Sequence, residues 1–200
     1  LYVVTSSQLW AAHKILSEKL TLLFGNFEIV EIKPFDMKAS REFVIYQLPG
    51  LKMSEQLMHF LIDFTAGHPL YLTLTCEELR ALCASHKQTE IFLPLLTRAM
   101  EDMLRKRWGV LSRHFDLVLD KIASGKGNIV VSRILLSLAN GRQKIGELSD
   151  SLKLKQASVS GRVTRLVELG IIAKNGNYFY ISDRLFKYWL KFVYYKRRRM

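Results

Sequence analysis

The chain has 200 residues, 49% hydrophobic and 24% charged, which is enough apolar material for one large core or two small ones and reads as a soluble globular protein. Its 30 Lys and Arg outnumber 18 Asp and Glu, and the excess is uneven: residues 1–115 carry 13 basic and 12 acidic side chains, residues 116–200 carry 17 and 6. No apolar run reaches the roughly 20 residues of a membrane span, because Pro94, Arg98 and Arg133 interrupt the stretches near Ile91 and Ile129.

No signal peptide is expected ahead of Leu1, and a chain opening on Leu with a buried-looking strand is expected to begin inside a larger protein. Leu1-Tyr2-Val3-Val4-Thr5-Ser6-Ser7 is that strand, followed by a helix with Leu9, Ala12, Ile15 and Leu16 on one face. Phe27 to Ile32 alternates as a second strand, stopped by Pro34 and Phe35. Strand, helix, strand predicts the edge of a parallel α/β sheet over residues 1–35. From residue 36 to 115 the pattern is wholly helical, with helices at Lys38 to Gln47, Ser54 to Ala66, Leu70 to Ala84 and Ile91 to Trp108. Leu57, Phe60, Leu61 and Phe64 are the expected core stripe of the second, and Gly50, Gly67 and Pro69 supply the breaks. Cys76 and Cys83 lie two helical turns apart, roughly 10 Å, beyond disulfide reach. They read as reduced core thiols, which suits a cytoplasmic setting. Arg105-Lys106-Arg107 reads as a solvated helix C-terminus.

The last segment, residues 116–200, holds three helices, at Ile129 to Leu138, Ile145 to Leu152 and Gln156 to Leu169, the third with Val159, Val163 and Leu166 inward. Ser158, Ser160, Arg162, Thr164 and Arg165 fall on its polar face, and Gly161 admits a close approach. Gly170 and then two β-rich runs over Ile171 to Ile181, joined at an Asn175-Gly176 turn signal, follow. This order, with Leu166-Val-Glu-Leu-Gly-Ile-Ile172 at the helix exit, resembles a winged helix-turn-helix domain. The resemblance implies DNA as partner, the third helix entering the major groove. It assigns base-edge contacts to Ser158, Ser160, Arg162 and Arg165 and phosphate contacts to Lys153, Lys155, Lys174 and Asn175. Winged helices also act as docking modules, so a protein partner or self-association through the helical segment or the winged helix is the alternative.

A second resemblance spans the chain. Tyr180-Ile-Ser-Asp183-Arg-Leu-Phe186-Lys-Tyr-Trp189-Leu-Lys-Phe192-Val looks like the segment that follows the winged helix in archaeal-type P-loop ATPases of the STAND and AAA+ kind. Val3 to Ser7 looks like their sensor 1 strand, Phe27 to Phe35 like the last sheet strand, and Gly67-His68-Pro69-Leu70-Tyr71-Leu72 like the lid's Gly-x-Pro motif. The implied fold is mainly α: a remnant α/β sheet edge (1–35), a helical lid bundle (36–115) and a winged helix-turn-helix domain with a C-terminal helix (116–200). It implies that Thr5, Ser6 or Ser7 senses a γ-phosphate and that Gly67 and Pro69 lie beside an adenine. The plainer reading makes the hydroxyl cluster a helix cap and Gly-x-Pro an ordinary helix start.

No Gly-x-x-x-x-Gly-Lys-Ser/Thr loop occurs in the 200 residues; Gly125-Lys126-Gly127 comes nearest, with Asp120 where the first glycine belongs. The acidic strand end that would hold Mg²⁺ is missing as well. ATP and Mg²⁺ are therefore expected only through an upstream P-loop domain, and this chain is not expected to hydrolyse ATP alone. Within such a protein the lid would couple nucleotide state to the basic winged helix; the alternative is a non-enzymatic DNA-binding regulator. His13, His59, His68, His86 and His114 show no metal-ligand spacing with each other or the cysteines, so no metal is expected. Ser6, His13 and Asp36 lack a nucleophile elbow, and no catalytic residue is assigned. Trp10, Trp108 and Trp189 read as packing residues, and Lys196-Arg197-Arg198-Arg199 as a basic tail contributing 4 of the net +11 of residues 116–200.

Overall fold

A computed structural model describes residues 30–105, 109–123 and 128–195, together with 3, 5, 18 and 28. The fold is mainly α with a C-terminal winged helix-turn-helix, and its described residues divide into two compact units, one within Lys33–Lys121 together with residues 184–195, the other within Ile122–Asp183. Among the described residues no helix is long and apolar enough to cross a membrane.

In the first unit, α1 (Met37–Gln47) starts at Asp36, whose carboxylate accepts from the Ala39 N–H at 2.8 Å. Helix α2 (Glu55–Thr65) starts at Ser54 in the same way, and α3 (Pro69–His86) starts on a proline, which has no N–H to leave unpaired in a first turn. Helices α4 (Leu93–Arg105) and α5 (Val110–Ala123) complete the run. Between α1 and α2 the two-residue strand β1 (Lys52–Met53) pairs in parallel with β2 (Glu90–Ile91), tying the segment before α2 to the one before α4. Leu61, Leu72, Cys76, Leu79, Ile91 and Leu96 are fully or almost fully buried around this seam.

The core face of α2 is rotated from the expected stripe. Met58, Leu61, Ile62 and Thr65 are buried, whereas Phe60 is 45% exposed and Leu57 and Phe64 are partly covered. The physical reason is that the apolar stripe of α2 is broad: Leu57 and Phe64 pack against the edge of the core, and Phe64 also meets Tyr188 edge-on, centroids 6.3 Å apart. Tyr188 belongs to the C-terminal helix α9 (Arg184–Trp189), which continues as a π-helical turn (Leu190–Tyr194). That helix was expected to belong with the winged helix. It packs instead on α2 and α5: Trp189 is fully buried, its indole N–H donates to Ser112 Oγ at 3.0 Å, and Phe115 lies 5.3 Å from Phe186 and 5.6 Å from Trp189. Arg184 adds a bond to the Asp63 carbonyl at 3.2 Å. Helix α5 also runs through the domain boundary expected at residue 116.

The corner between α2 and α3 has Ala66 and Gly67 in the left-handed region, φ 50° and 67°. There the Phe35 N–H donates to the Gly67 carbonyl at 2.9 Å, and a Cβ on Gly67 would sit 2.1 Å from the Phe35 oxygen. Only glycine satisfies both the φ and the approach.

The expected sheet edge is not borne out where it is described. Residues 30–36 form no ladder, and Val30 and Ile32 are 76% and 92% exposed. Alternation makes a strand only where a neighbouring strand takes its hydrogen bonds, and among the described residues none forms a ladder with this segment. Val3 and Thr5 are likewise exposed and outside any strand, while Ser6, Ser7 and the helix expected from Gln8 lie outside the described residues.

The second unit comprises α6 (Asn128–Asn140), α7 (Ile145–Leu152), α8 (Gln156–Glu168), β3 (Ile172–Asn175) and β4 (Tyr178–Ile181). Ile134, Leu135, Leu138, Leu148, Val159 and Val163 are at most 1% exposed and form its core with Leu166, Ile172 and Phe179. Arg133 of α6 donates to the Leu152 carbonyl at 2.9 Å, satisfying an acceptor at the open end of α7.

Candidate nucleic-acid interface

Helix α7 ends at Lys153, in the left-handed conformation at φ 55°, where the Lys153 and Leu154 N–H groups return to the Asp150 and Ser149 carbonyls at 3.2 and 3.1 Å. Lys155 then opens α8 with no side-chain cap, so both lysines of this tight turn point to solvent. With Val159, Val163 and Leu166 buried, the 100° step of a helix puts Ala157, Gly161, Thr164 and Arg165 outermost, and all four are exposed. Ser158 and Arg162 lie partly buried on one flank and Ser160 on the other.

The flank pair is engaged internally: Arg162 Nη1 donates to the Ser158 carbonyl at 2.8 Å and to Ser158 Oγ at 2.7 Å. Arg165, by contrast, makes no side-chain hydrogen bond or ion pair among the described residues. A Cβ built on Gly161 meets nothing within 4 Å, so the middle of the helix is open to a close approach. Of the four residues proposed for base edges, Arg165 alone stands on the outward line; the other three flank it.

Strands β3 and β4 pair antiparallel with Asn175 opposite Tyr178, so the two loop residues are Gly176 and Asn177. Gly176, at φ 58°, takes the first central position, as in a type II′ turn. The expected turn centre, Asn175-Gly176, is thus displaced by one residue. Asn175 is thereby a strand residue, and because successive strand side chains point to opposite faces it is separated from Lys174, the residue grouped with it as a phosphate contact. Lys174 leans toward the core face, its Nζ 6.0 Å from the Phe179 ring centre, while Asn175 lies on the opposite face with Tyr178.

The segment before α7 runs along β4. Gln143 exchanges both backbone hydrogen bonds with Phe179, at 3.1 and 2.8 Å, and its side chain turns inward to accept from Ser137 Oγ at 2.8 Å. Alternation then sends Arg142 and Lys144 outward. Both lie against the Tyr178 ring, the Arg142 guanidinium carbon 5.4 Å and the Lys144 Nζ 5.0 Å from its centre. These two cations were absent from the expected site. An Arg-x-Lys step directly before a helix, with aromatic residues on the neighbouring strand, is the signal that points to them.

The charge divides between the units. Residues 122–183 hold nine basic and four acidic side chains, whereas 184–200 hold seven basic and none acidic, and the described part of the latter packs with the helical unit. The winged helix therefore carries net +5 of the basic excess. Of the residues expected at a nucleotide, Gly67 and Pro69 share the α2–α3 corner and both have a structural role there. Thr5 is exposed, and Ser6 and Ser7 are outside the described residues.

Residues 130–174 match the family model of the bacterial regulatory protein, arsR family, a helix-turn-helix, over α6, α7, α8 and most of β3. A comparison with curated proteins finds no match in sequence. Among solved structures the chain is similar to the RuvB Holliday junction branch migration motor of Thermotoga maritima, at 15% identity over 86% of this chain and a TM-score of 0.42. A single-residue variant of that RuvB matches at 14% identity, 86% coverage and a TM-score of 0.41. The chain spans about half, 54%, of the length of these structures.

Proposed function

We propose that the winged-helix unit binds double-stranded DNA. The observation that carries this is its outer surface: Lys153, Lys155 and Arg165 on the helix-turn-helix and Arg142 and Lys144 beside the hairpin present five outward cations, with Lys174 exposed on the other face of the hairpin, and none of the six is in an ion pair among the described residues. Phosphates release counterions on meeting such a surface, and the contact strengthens as salt falls. The match of residues 130–174 to a helix-turn-helix of bacterial regulators supports the same reading. Titration of the full chain against a short labelled duplex tests it, with binding expected to weaken steeply as salt is raised. No binding at the lowest salt overturns it.

In the wider reading, the helical unit is the lid of an AAA+-type ATPase and transmits nucleotide state to the winged helix. ATP and Mg²⁺ would be held by a P-loop segment encoded upstream of Leu1. The Gly67-His68-Pro69 corner and the order of the segments support it. A reading frame without a Gly-x-x-x-x-Gly-Lys-Ser/Thr loop ahead of Leu1 contradicts it and leaves a DNA-binding module that acts independently of nucleotide.

A further inference from the structure

We propose that Arg142 and Lys144, seated on Tyr178, form a clamp for a nucleic-acid backbone phosphate, making the outer face of the wing, not α8, the principal contact. This rests on the DNA reading above and adds the site within it. Three features of the geometry point there.

First, the outward line of α8 is chemically sparse. It consists of Ala157, Gly161, Thr164 and a single unengaged cation, Arg165, with Glu168 one turn from Thr164 and partly exposed. The other arginine of the helix is folded back onto Ser158. Second, the wing face gathers its groups on adjacent strands. The Gln143–Phe179 bridge sets Lys144 beside Tyr178, and β3–β4 pairing sets Tyr178 beside Asn175, so the three make one row across strands about 4.8 Å apart. Arg142 and Tyr180 fall in the next row, with Tyr180 38% exposed.

Third, the cations are positioned before any ligand arrives. Tyr178 offers its ring to both, and a cation resting on an aromatic face keeps its N–H groups outward while its long stem is held. An anion that meets two such groups loses less side-chain freedom than one that must gather mobile lysines. Arg142 brings a planar fork that matches phosphate oxygens, and Lys144 a point charge. The acidic side chain bonded within the cluster is Glu147, and it accepts from the Lys144 backbone N–H at 2.8 Å, not from either cation head. Tyr178 is here a positioning residue.

The test is a salt series of fluorescence anisotropy titrations on the full chain with a labelled duplex, comparing wild type, Arg142→Gln/Lys144→Gln, Arg165→Ala, Tyr178→Phe and Tyr178→Thr. The double variant is expected to lose affinity roughly tenfold near physiological salt and to flatten the log–log salt slope by about 2, one for each phosphate contact, for any duplex sequence. Arg165→Ala flattens it by at most about 1. Tyr178→Phe keeps the ring and binds as wild type. Tyr178→Thr keeps the strand and both charges, so affinity falls while the slope stays, an outcome that a merely structural tyrosine would not give. Wild-type binding with an unchanged slope in the double variant overturns the clamp and leaves the DNA reading standing. Absence of wild-type binding overturns both.

Discussion

Replacing Gly67 by alanine tests the α2–α3 corner most sharply. The substitution places a Cβ 2.1 Å from the Phe35 carbonyl oxygen, so the extended segment ahead of α1 must move away, and the Phe35 N–H to Gly67 carbonyl bond at 2.9 Å is lost with it. Holding alanine at φ 67° costs about 1 kcal/mol and the bond about 1 kcal/mol more. The displaced backbone brings the total to about 3 kcal/mol. For a unit of this size that is a fall in Tm on the order of 15 °C. Gly50→Ala is the matched control, because Gly50 has φ 75° but nothing within 4 Å of an added Cβ. It should cost only the backbone term, on the order of 5 °C. Differential scanning calorimetry on both variants decides the matter. Equal melting temperatures would show that residue 35 does not lean on Gly67, and the structural role given to this glycine would be wrong.

Ser112→Ala should destabilise the helical unit by about 1–3 kcal/mol, since the buried Trp189 indole N–H loses its acceptor; chemical denaturation reads it, and an unchanged midpoint would count against the placement of α9. Burial pushes the Cys76 thiol up from 9.0 to about 12, with Arg80 opposing and Glu77 adding to the shift. The unfolded chain then releases this proton first, so the contribution is intact below about pH 9 and is lost as pH rises toward 12. Wild type should lose on the order of 1 kcal/mol more than Cys76→Ala between neutral pH and roughly pH 10, and parallel stability curves would refute the burial argument. In DNA titrations, Arg165→Ala should weaken binding severalfold and Arg162→Ala less, because Arg162 is bonded to Ser158; the reverse ranking would mean that the Arg162 pair opens on the ligand.

Most helices could be read from apolar spacing and breaks. Val159, Val163 and Leu166 are buried as their period requires, and α1, α3 and α7 begin within a residue of expectation. Helix α5 carried the same kind of signal, with Leu111, Phe115, Leu119 and Ile122 buried on one face, but a domain boundary was expected in its middle. What spacing could not provide was the choice of partner. Trp189 follows the winged helix in the chain and packs on Ser112 and Phe115, and only tertiary packing distinguishes those two neighbours. The same ambiguity shifts the centre of the buried stripe on α2, whose edge serves both the core and Tyr188.

At the candidate site, composition located the basic segment but not its geometry. Lys174 and Asn175 are adjacent in sequence and on opposite faces in the hairpin, because Gly176-Asn177, and not Asn175-Gly176, closes the turn. Arg142 and Lys144 are not legible in the sequence because their meaning depends on Tyr178, more than thirty residues further on and beside them only through the Gln143–Phe179 bridge. The charge excess, read as one module, belongs to two.

The salt dependence of duplex binding by the full chain tests the central claim most directly. Five outward cations on the winged helix, each meeting a phosphate, predict a slope of log affinity against log salt of about −4.5. A duplex that fails to bind at low salt, or binds with a slope near zero, would contradict the account.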